Sequence, residues 1–168
     1  MGDPKPTHLA VTVFLRHGDD VLLMKRSPHK SHEPNKFCGV GGKVDDGETI
    51  IETSVRETKE EAGITLAPEK FVSRGQLVLD GYPEARWAVS LFEAWPQDRQ
   101  VANNDEGELI WVPINQVAQT DLMDDIRYYV EEILNSQKNI FGHFMFKGDT
   151  VVDHTLQFLE KMELQPTS

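Results

Sequence analysis

Residues 42–64 read GKVDDGETIIETSVRETKEEAGI, and this stretch decides the fold. The turn residues Asp45-Asp46-Gly47 are followed by a run whose apolar positions recur at helical spacing, so a helix is predicted from about Thr49 to Ala62. Gly63, which readily takes the left-handed cap conformation, ends it. On a wheel of 100° per residue, Ile51, Val55, Thr58 and Ala62 share one stripe and are expected to face the core. Glu57, Glu60 and Glu61 share another face. At i, i+3 and i+4 these carboxylates are neighbours, and each like-charge pair costs a few tenths of a kcal/mol, of order ~0.3. Two explanations offset that cost. One is a solvated acidic face. The other is a hard-cation site, with oxygen ligands on a rigid helix holding Mg²⁺ and leaving positions for water and phosphate.

Working outward, His8–Arg16 and Asp20–Arg26 read as two strands of a hairpin around Gly18-Asp19. Residues 27–36 are polar and hold Pro28 and Pro34, the signature of a mobile loop. Phe37–Val40 is a short strand that leads into Gly41-Gly42. Beyond the helix, strands are expected at Phe71–Leu79, Arg86–Ala94 and Glu108–Val112, a second helix from Asp121 to Leu134, and a closing hairpin of Ile140–Lys147 and Thr150–Leu159 around Gly148-Asp149. Strands and helices alternate without regular βαβ units. The expected fold class is therefore α/β in the broad sense (α+β), a mixed β-sheet sandwiched between α-helices.

Read from Gly42, the pattern is glycine, glutamate six on (Glu48), then Arg56-Glu57-Thr58-Lys59-Glu60-Glu61-Ala62-Gly63-Ile64. This resembles the Nudix box, and every fixed position matches. Thr58 stands where that family usually has an aliphatic residue, and its hydroxyl is expected to bond back to an earlier carbonyl. The resemblance implies a Nudix hydrolase, which uses divalent metal and water to split a phosphoanhydride. It implies Mg²⁺ as cofactor, with Mn²⁺ able to replace it. Glu57, Glu60 and Glu61 become metal ligands, one of them acting as base for the attacking water, with a backbone carbonyl at Gly42 as a further ligand. Arg56 and Glu48 are expected to pair with one another and to hold the loop on the helix. Lys43 and Arg26 are candidate phosphate contacts, against the alternative of ordinary surface cations.

The box does not name the substrate. Residues 138–153, KNIFGHFMFKGDTVVD, resemble the closing hairpin of MutT-type oxidised-purine triphosphatases, such as 8-oxo-dGTP diphosphatases. In those relatives an acid just before a Trp-containing strand supplies another metal ligand, and Glu106, ahead of Trp111, matches best, with Glu108 second. They read the purine with acids near the start of the last helix, where Asp124 and Asp125 fall; the alternative is a pair of charge-favoured residues in a first helical turn. Cys38 stands where such relatives have an asparagine that contacts the base, and a thiol is a weak hydrogen-bonding group. Phe37, Tyr82, Trp87 and Trp111 are candidates for stacking or for core. The six histidines show no metal spacing.

With 168 residues, one domain over residues 1–168 is expected, residues 1–7 forming a flexible lead-in without signal character. No apolar run is long enough to span a membrane, and a cytoplasmic protein is expected. A single cysteine excludes an internal disulfide framework. The formal net charge of -11 repels a long nucleic acid but leaves a small nucleotide accessible through bridging cations. The pattern is compatible with a monomer or a homodimer. The favoured reading is hydrolysis of an oxidised purine nucleoside triphosphate to the monophosphate and pyrophosphate. The rivals are an ADP-ribose or nucleotide-sugar pyrophosphatase and a nucleotide-binding regulatory module without turnover.

Overall fold

The computed structural model describes residues 3–163 and 166. Among them the strands are β1 (Thr7–His17), β2 (Asp20–Arg26), β3 (Phe37–Cys38), β4 (Val40–Lys43), β5 (Val72–Asp80), β6 (Arg86–Ala94), β7 (Gly107–Pro113), β8 (Asn139–Lys147) and β9 (Thr150–Leu159). The α-helices are α1 (Ile50–Ala62) and α2 (Val130–Asn135). The sheet runs β3-β2-β1-β6-β5-β8-β9, with β4 also paired to β1 and β7 to β2. Parallel pairing of β1 with β6 and of β5 with β8, against antiparallel pairing elsewhere, makes it mixed.

Alternation along the strands divides the core in two. Val11, Val13, Leu15, Leu22 and Phe92 pack on one side with Ala62 of α1. Phe14, Val21, Leu23, Leu77 and Leu91 pack on the other with Ile133 and Leu134 of α2. Burial of each large aliphatic side chain contributes ~1.5–3 kcal/mol, which fixes the register of β1 between its neighbours.

The single strand expected at Phe37–Val40 is broken at Gly39. Phe37 and Cys38 pair with Lys25 and Met24 of β2, whereas Val40–Lys43 cross to Val13–Ala10 of β1. A Cβ at Gly39 would lie 2.8 Å from the Val13 carbonyl oxygen, so the change of partner needs a glycine.

α1 has the expected limits: Thr49 and Glu52 form a reciprocal capping box, and Gly63 closes the helix at φ 71°. Its buried face is more polar than the apolar stripe predicts. Thr58 and Ala62 are buried, Ile51 and Val55 only half-buried, and Thr53, Ser54 and Glu61 join the buried side. The Thr53 and Ser54 hydroxyls donate to the Thr49 and Ile50 carbonyls at 3.1 and 2.9 Å. The Thr58 hydroxyl, expected to do the same, is buried without a partner.

The second helix is much shorter than the expected Asp121–Leu134. The Phe37 amide donates to the Asp121 carbonyl and the Met123 amide to the Phe37 carbonyl, both at 2.9 Å, so residues 121–123 run extended beside β3. A 3₁₀ turn at Ile126–Tyr128 follows, and α2 begins at Val130. Tertiary pairing has outweighed helix propensity here. The end of α2 is held by Arg74, which donates to the carbonyls of Ile133 at 2.6 Å and Lys138 at 2.8 Å and pairs with Glu93 on β6. The β8–β9 hairpin turns at Gly148-Asp149 as expected. No helix among the described residues is long and apolar enough to cross a membrane.

Candidate active site

β4 carries Gly41 and Gly42 against the side of α1. The Gly41 amide donates to the Glu61 carboxylate at 2.9 Å. A Cβ at Gly42 would stand 2.3 Å from Oε1 of Glu57, and one at Gly41, with φ 159°, 2.0 Å from the Val11 carbonyl oxygen. The two glycines thus let strand, carboxylates and β1 meet at backbone distance. Behind them Arg56 donates through Nε and Nη2 to both oxygens of Glu48, each at 2.8 Å. Its Nη1 reaches Glu57 at 2.9 Å and Glu60 at 3.2 Å. Its Nη2 also reaches the Lys43 carbonyl at 3.2 Å. The Arg56 guanidinium, with the Asp45 amide, holds the Glu48 carboxyl down at about 2. Glu48 and Arg56 therefore form a brace from the 45–48 turn to α1.

Charge on this brace and on the acids in front of it is unevenly relieved. Burial pushes Glu61 up to about 8, the Gly41 amide opposes the rise, and the negative charges of Glu57 and Glu106 add to it. Burial also raises Glu57, against the pull of Arg56. Glu60 is exposed, and Glu106, in the turn before β7, pairs with Lys30. As they lie, no three His, Cys, Asp or Glu side chains among the described residues close to metal-binding distance; the Glu57 and Glu61 carboxylates rest on Arg56 and on the Gly41 amide. The donor set nonetheless fits a hard divalent ion. Glu61 is a buried acid without an ion pair and Glu57 a half-buried one shared with Arg56, beside a glycine strand with no room for a Cβ, with Glu60 one turn away on the same helix face and Glu106 across from Glu61.

A cavity of about 470 Å³ opens beside Gly41 and Gly42 and runs to Asp125 and Tyr129 on the α2 side of the sheet. Cys38, Arg26, Tyr82 and Trp87 line it. Asp125 is 5% exposed and accepts from the Tyr129 hydroxyl at 3.5 Å. Burial pushes its carboxyl up to about 6 against the hydrogen bonds of its own amide, the Ile126 amide and Tyr129. Burial likewise pushes the Cys38 thiol up to about 12, and its Sγ faces the Met24 carbonyl at 3.7 Å. Asp124 is not in the cavity lining. Its carboxylate accepts the Val151 amide at 2.6 Å and the Arg127 guanidinium at 2.7 Å, and these outweigh burial to hold it below the ordinary range. The pair expected to act together is therefore split, and neither member sits in a first helical turn, since α2 starts at Val130. Lys43 is exposed and outside the cavity lining. Trp111 packs against His17 and Arg99, away from the cavity. Glu108 lies on β7 opposite Lys25, in a separate cleft.

Three features escape the sequence pattern. Residues 27–36, expected to be mobile, are fastened: the Asn35 amide donates to the Arg26 carbonyl at 3.2 Å and Arg26 Nη2 to the His32 carbonyl at 3.0 Å. His32 and His8, given no role, line the cavity. Glu33 is buried beside it, at φ 45°. No periodicity marks any of the three, because each is fixed by contacts with distant segments.

The NUDIX domain profile matches residues 6–133. The chain belongs to the Nudix family. An oxidized purine nucleoside triphosphate hydrolase of Danio rerio is 28% identical over 156 residues, covering 92% of this chain and 96% of the relative. The protein of the same description from Mus musculus is 31% identical over 123 residues, covering 73% and 78%. A MutT protein from Bacillus halodurans superimposes with a TM-score of 0.78 at 22% identity, covering 89% of this chain and 97% of that one, a likeness of fold. The protein is thus a Nudix hydrolase, and the reading of a module without turnover gives way to that of an enzyme.

Proposed function

We propose that this Nudix hydrolase cleaves a purine nucleoside triphosphate, foremost one with an oxidised base such as 8-oxo-dGTP, to the monophosphate and pyrophosphate. Mg²⁺ is its metal, and Mn²⁺ replaces it. The observation that carries this reading is the continuity of one cavity from the Gly41-Gly42 strand, where Glu57 and Glu61 gather, to the buried carboxyl of Asp125. A polyphosphate belongs at the first end and a base with N–H donors at the second. The names of the fish and mouse relatives support the same substrate class.

Divalent ions, when bound, neutralise the phosphate oxygens and lower the pKa of a coordinated water. The chain's own groups supply the rest. Glu57, Glu60, Glu61 and the Gly42 carbonyl would hold the ions, with Glu106 facing them from the turn before β7. One of the three α1 glutamates accepts the proton of the attacking water. Arg56, locked on Glu48, fixes the helix face that carries these glutamates. Arg26, at the cavity wall, meets phosphate. Asp125 accepts from the base, and Cys38, in place of a side-chain amide, leaves that part of the base edge read by shape. We read residues 1–168 as one domain acting on a small nucleotide in the cytoplasm.

The test is turnover of the purified protein with Mg²⁺ across a panel of nucleoside triphosphates, ADP-ribose and nucleotide sugars, with phosphate and pyrophosphate measured separately. Preferential release of pyrophosphate from 8-oxo-dGTP is the expected result. A preference for ADP-ribose, or release of phosphate alone, overturns the assignment.

A further inference from the structure

The segment joining β2 to β3 is polar and proline-containing, yet its Glu33 is only 2% exposed. A backbone φ of 45° at Glu33 turns this side chain inward, a conformation costing about 1 kcal/mol for a residue with a Cβ. Three segments meet there. Glu33 Oε1 accepts the Asp124 amide at 2.6 Å, and the Glu33 amide donates to the Asp149 carboxylate, in the β8–β9 turn, at 3.0 Å. Asp124 in turn accepts the Val151 amide at 2.6 Å. The knot adjoins the cavity on two sides: His32 precedes Glu33, Asp125 follows Asp124, and the His32 ring packs edge-on against Tyr82 at 5.4 Å.

The second oxygen of Glu33, Oε2, is buried with no partner. Around the carboxyl stand Asp124 and Asp125 from the 121–125 turn, Asp149 from the hairpin with the His32 ring 3.5 Å from it, Lys36 from its own segment, and Tyr82 and Tyr129 from the cavity wall. Of the cations of the neighbourhood, Lys36 is paired with Asp121 and Arg127 with Asp124, while Arg26 donates from Nη2 to the His32 carbonyl with its Nε buried and unpartnered, and none of the three is paired with Glu33. An ionised Glu33 would leave a buried negative charge among acids without an ion pair, an arrangement that favours the neutral acid.

Resting on the reading that the cavity takes a purine nucleotide, we propose that Glu33, as a neutral carboxyl, is a positioning residue for base recognition: it ties residues 27–36 to the Asp124–Asp125 turn and so fixes His32 and Asp125 at the cavity wall. Burial, reinforced by Asp125, Asp149 and Asp124, pushes its carboxyl up to about 7 against the Asp124 amide, so the tie loosens as pH rises through that value.

Wild type, Glu33→Gln and Glu33→Ala are compared by hydrogen-exchange protection factors of residues 27–36 and 121–125 at pH 6 and 8.5, and by KM and kcat for 8-oxo-dGTP. Glutamine keeps the acceptor and removes the proton equilibrium. It is expected to hold the same protection at both pH values, whereas wild type loses protection and gains KM at pH 8.5. Alanine is expected to lose protection at both, with KM raised about tenfold and kcat nearly unchanged. Glutamine that behaves as alanine does, or wild type and glutamine that change equally with pH, overturns the proposal; this comparison stands even where alanine fails to fold. Exchange needs no turnover, so a chain inactive on purine triphosphates sinks the functional reading while the protection factors still decide the role of Glu33.

Discussion

Gly42 and Glu57 are in contact across the strand-to-helix junction: a methyl group on Gly42 would lie 2.3 Å from Oε1 of Glu57. The glutamate is half-buried and held from behind by Arg56 at 2.9 Å, so it cannot swing far to admit one. Gly42→Ala is therefore expected to displace the Glu57 carboxylate while leaving the sheet intact. Turnover at saturating Mg²⁺ should fall roughly 10- to 100-fold, the scale on which catalytic geometry is lost by small misplacements. Circular dichroism should remain that of the folded protein. Wild-type kcat in this variant would remove Glu57 from the reacting end of the cavity.

Glu61 gives a prediction with a definite sign. Its ordinary pKa of 4.5 is pushed up to about 8 by burial and by Glu57 and Glu106, so the fold favours the neutral acid. The stability from this preference is complete below 4.5 and is lost as pH rises through about 8. Without divalent metal, wild type should lose Tm between pH 6 and 9 while Glu61→Gln stays flatter. A divalent cation reverses the preference by favouring the carboxylate, so Mg²⁺ should raise the wild-type Tm at pH 9 and leave Glu61→Gln nearly unmoved. Equal Mg²⁺ shifts in both proteins would take Glu61 out of the ion-binding set.

The parts legible in the sequence are those governed by local rules. Alternation in residues 8–16 and 20–26 gave two strands, and the helical spacing with Gly63 gave α1 to within a residue. The fixed spacing of Gly42, Glu48, Arg56, Glu57, Glu60 and Glu61 marked the residues that meet at one junction. What was illegible depends on distant partners. Residues 121–123 carry a helix-compatible pattern, but Phe37 takes their backbone groups. Glu33 sits in a stretch with the composition of a solvated loop and is buried only because Asp124 and Asp149, far along the chain, bind it. Arg74 is an alternating strand residue by pattern, yet it is 1% exposed.

That arginine makes a stability prediction independent of catalysis. Arg74 pairs with Glu93 and caps the carbonyls of Ile133 and Lys138 at the end of α2, while Arg16 reaches the other oxygen of Glu93 at 2.8 Å. Arg74→Met preserves much of the side-chain volume but leaves a buried carboxylate half-paired and two carbonyls open. Breaking a buried pair in this way costs about 3–5 kcal/mol. The midpoint of urea denaturation should fall accordingly, and KM for the substrate, measured where the variant remains folded, should hold. A loss below about 1 kcal/mol would mean that water replaces the guanidinium at the end of α2.

Asp124 and Asp125 are neighbours in sequence with opposite surroundings, and substitution should separate them. Asp125 lines the cavity, with its carboxyl pushed up to about 6 by burial. Asparagine fixes one amide pattern there and should change the ratio of kcat/KM between 8-oxo-dGTP and dGTP by about tenfold, in either direction, without a matching loss of stability. Asp124 instead ties the Val151 amide and Arg127 to the turn, held low by both. Asp124→Asn should weaken that tie and lower Tm, with the two substrates losing activity alike, because the residue acts on the wall and not on the base. The measurement is the selectivity ratio of each single variant beside its melting temperature. A ratio altered by Asp124→Asn and untouched by Asp125→Asn would reverse the assignment and place base reading on the face of the turn that now holds Arg127.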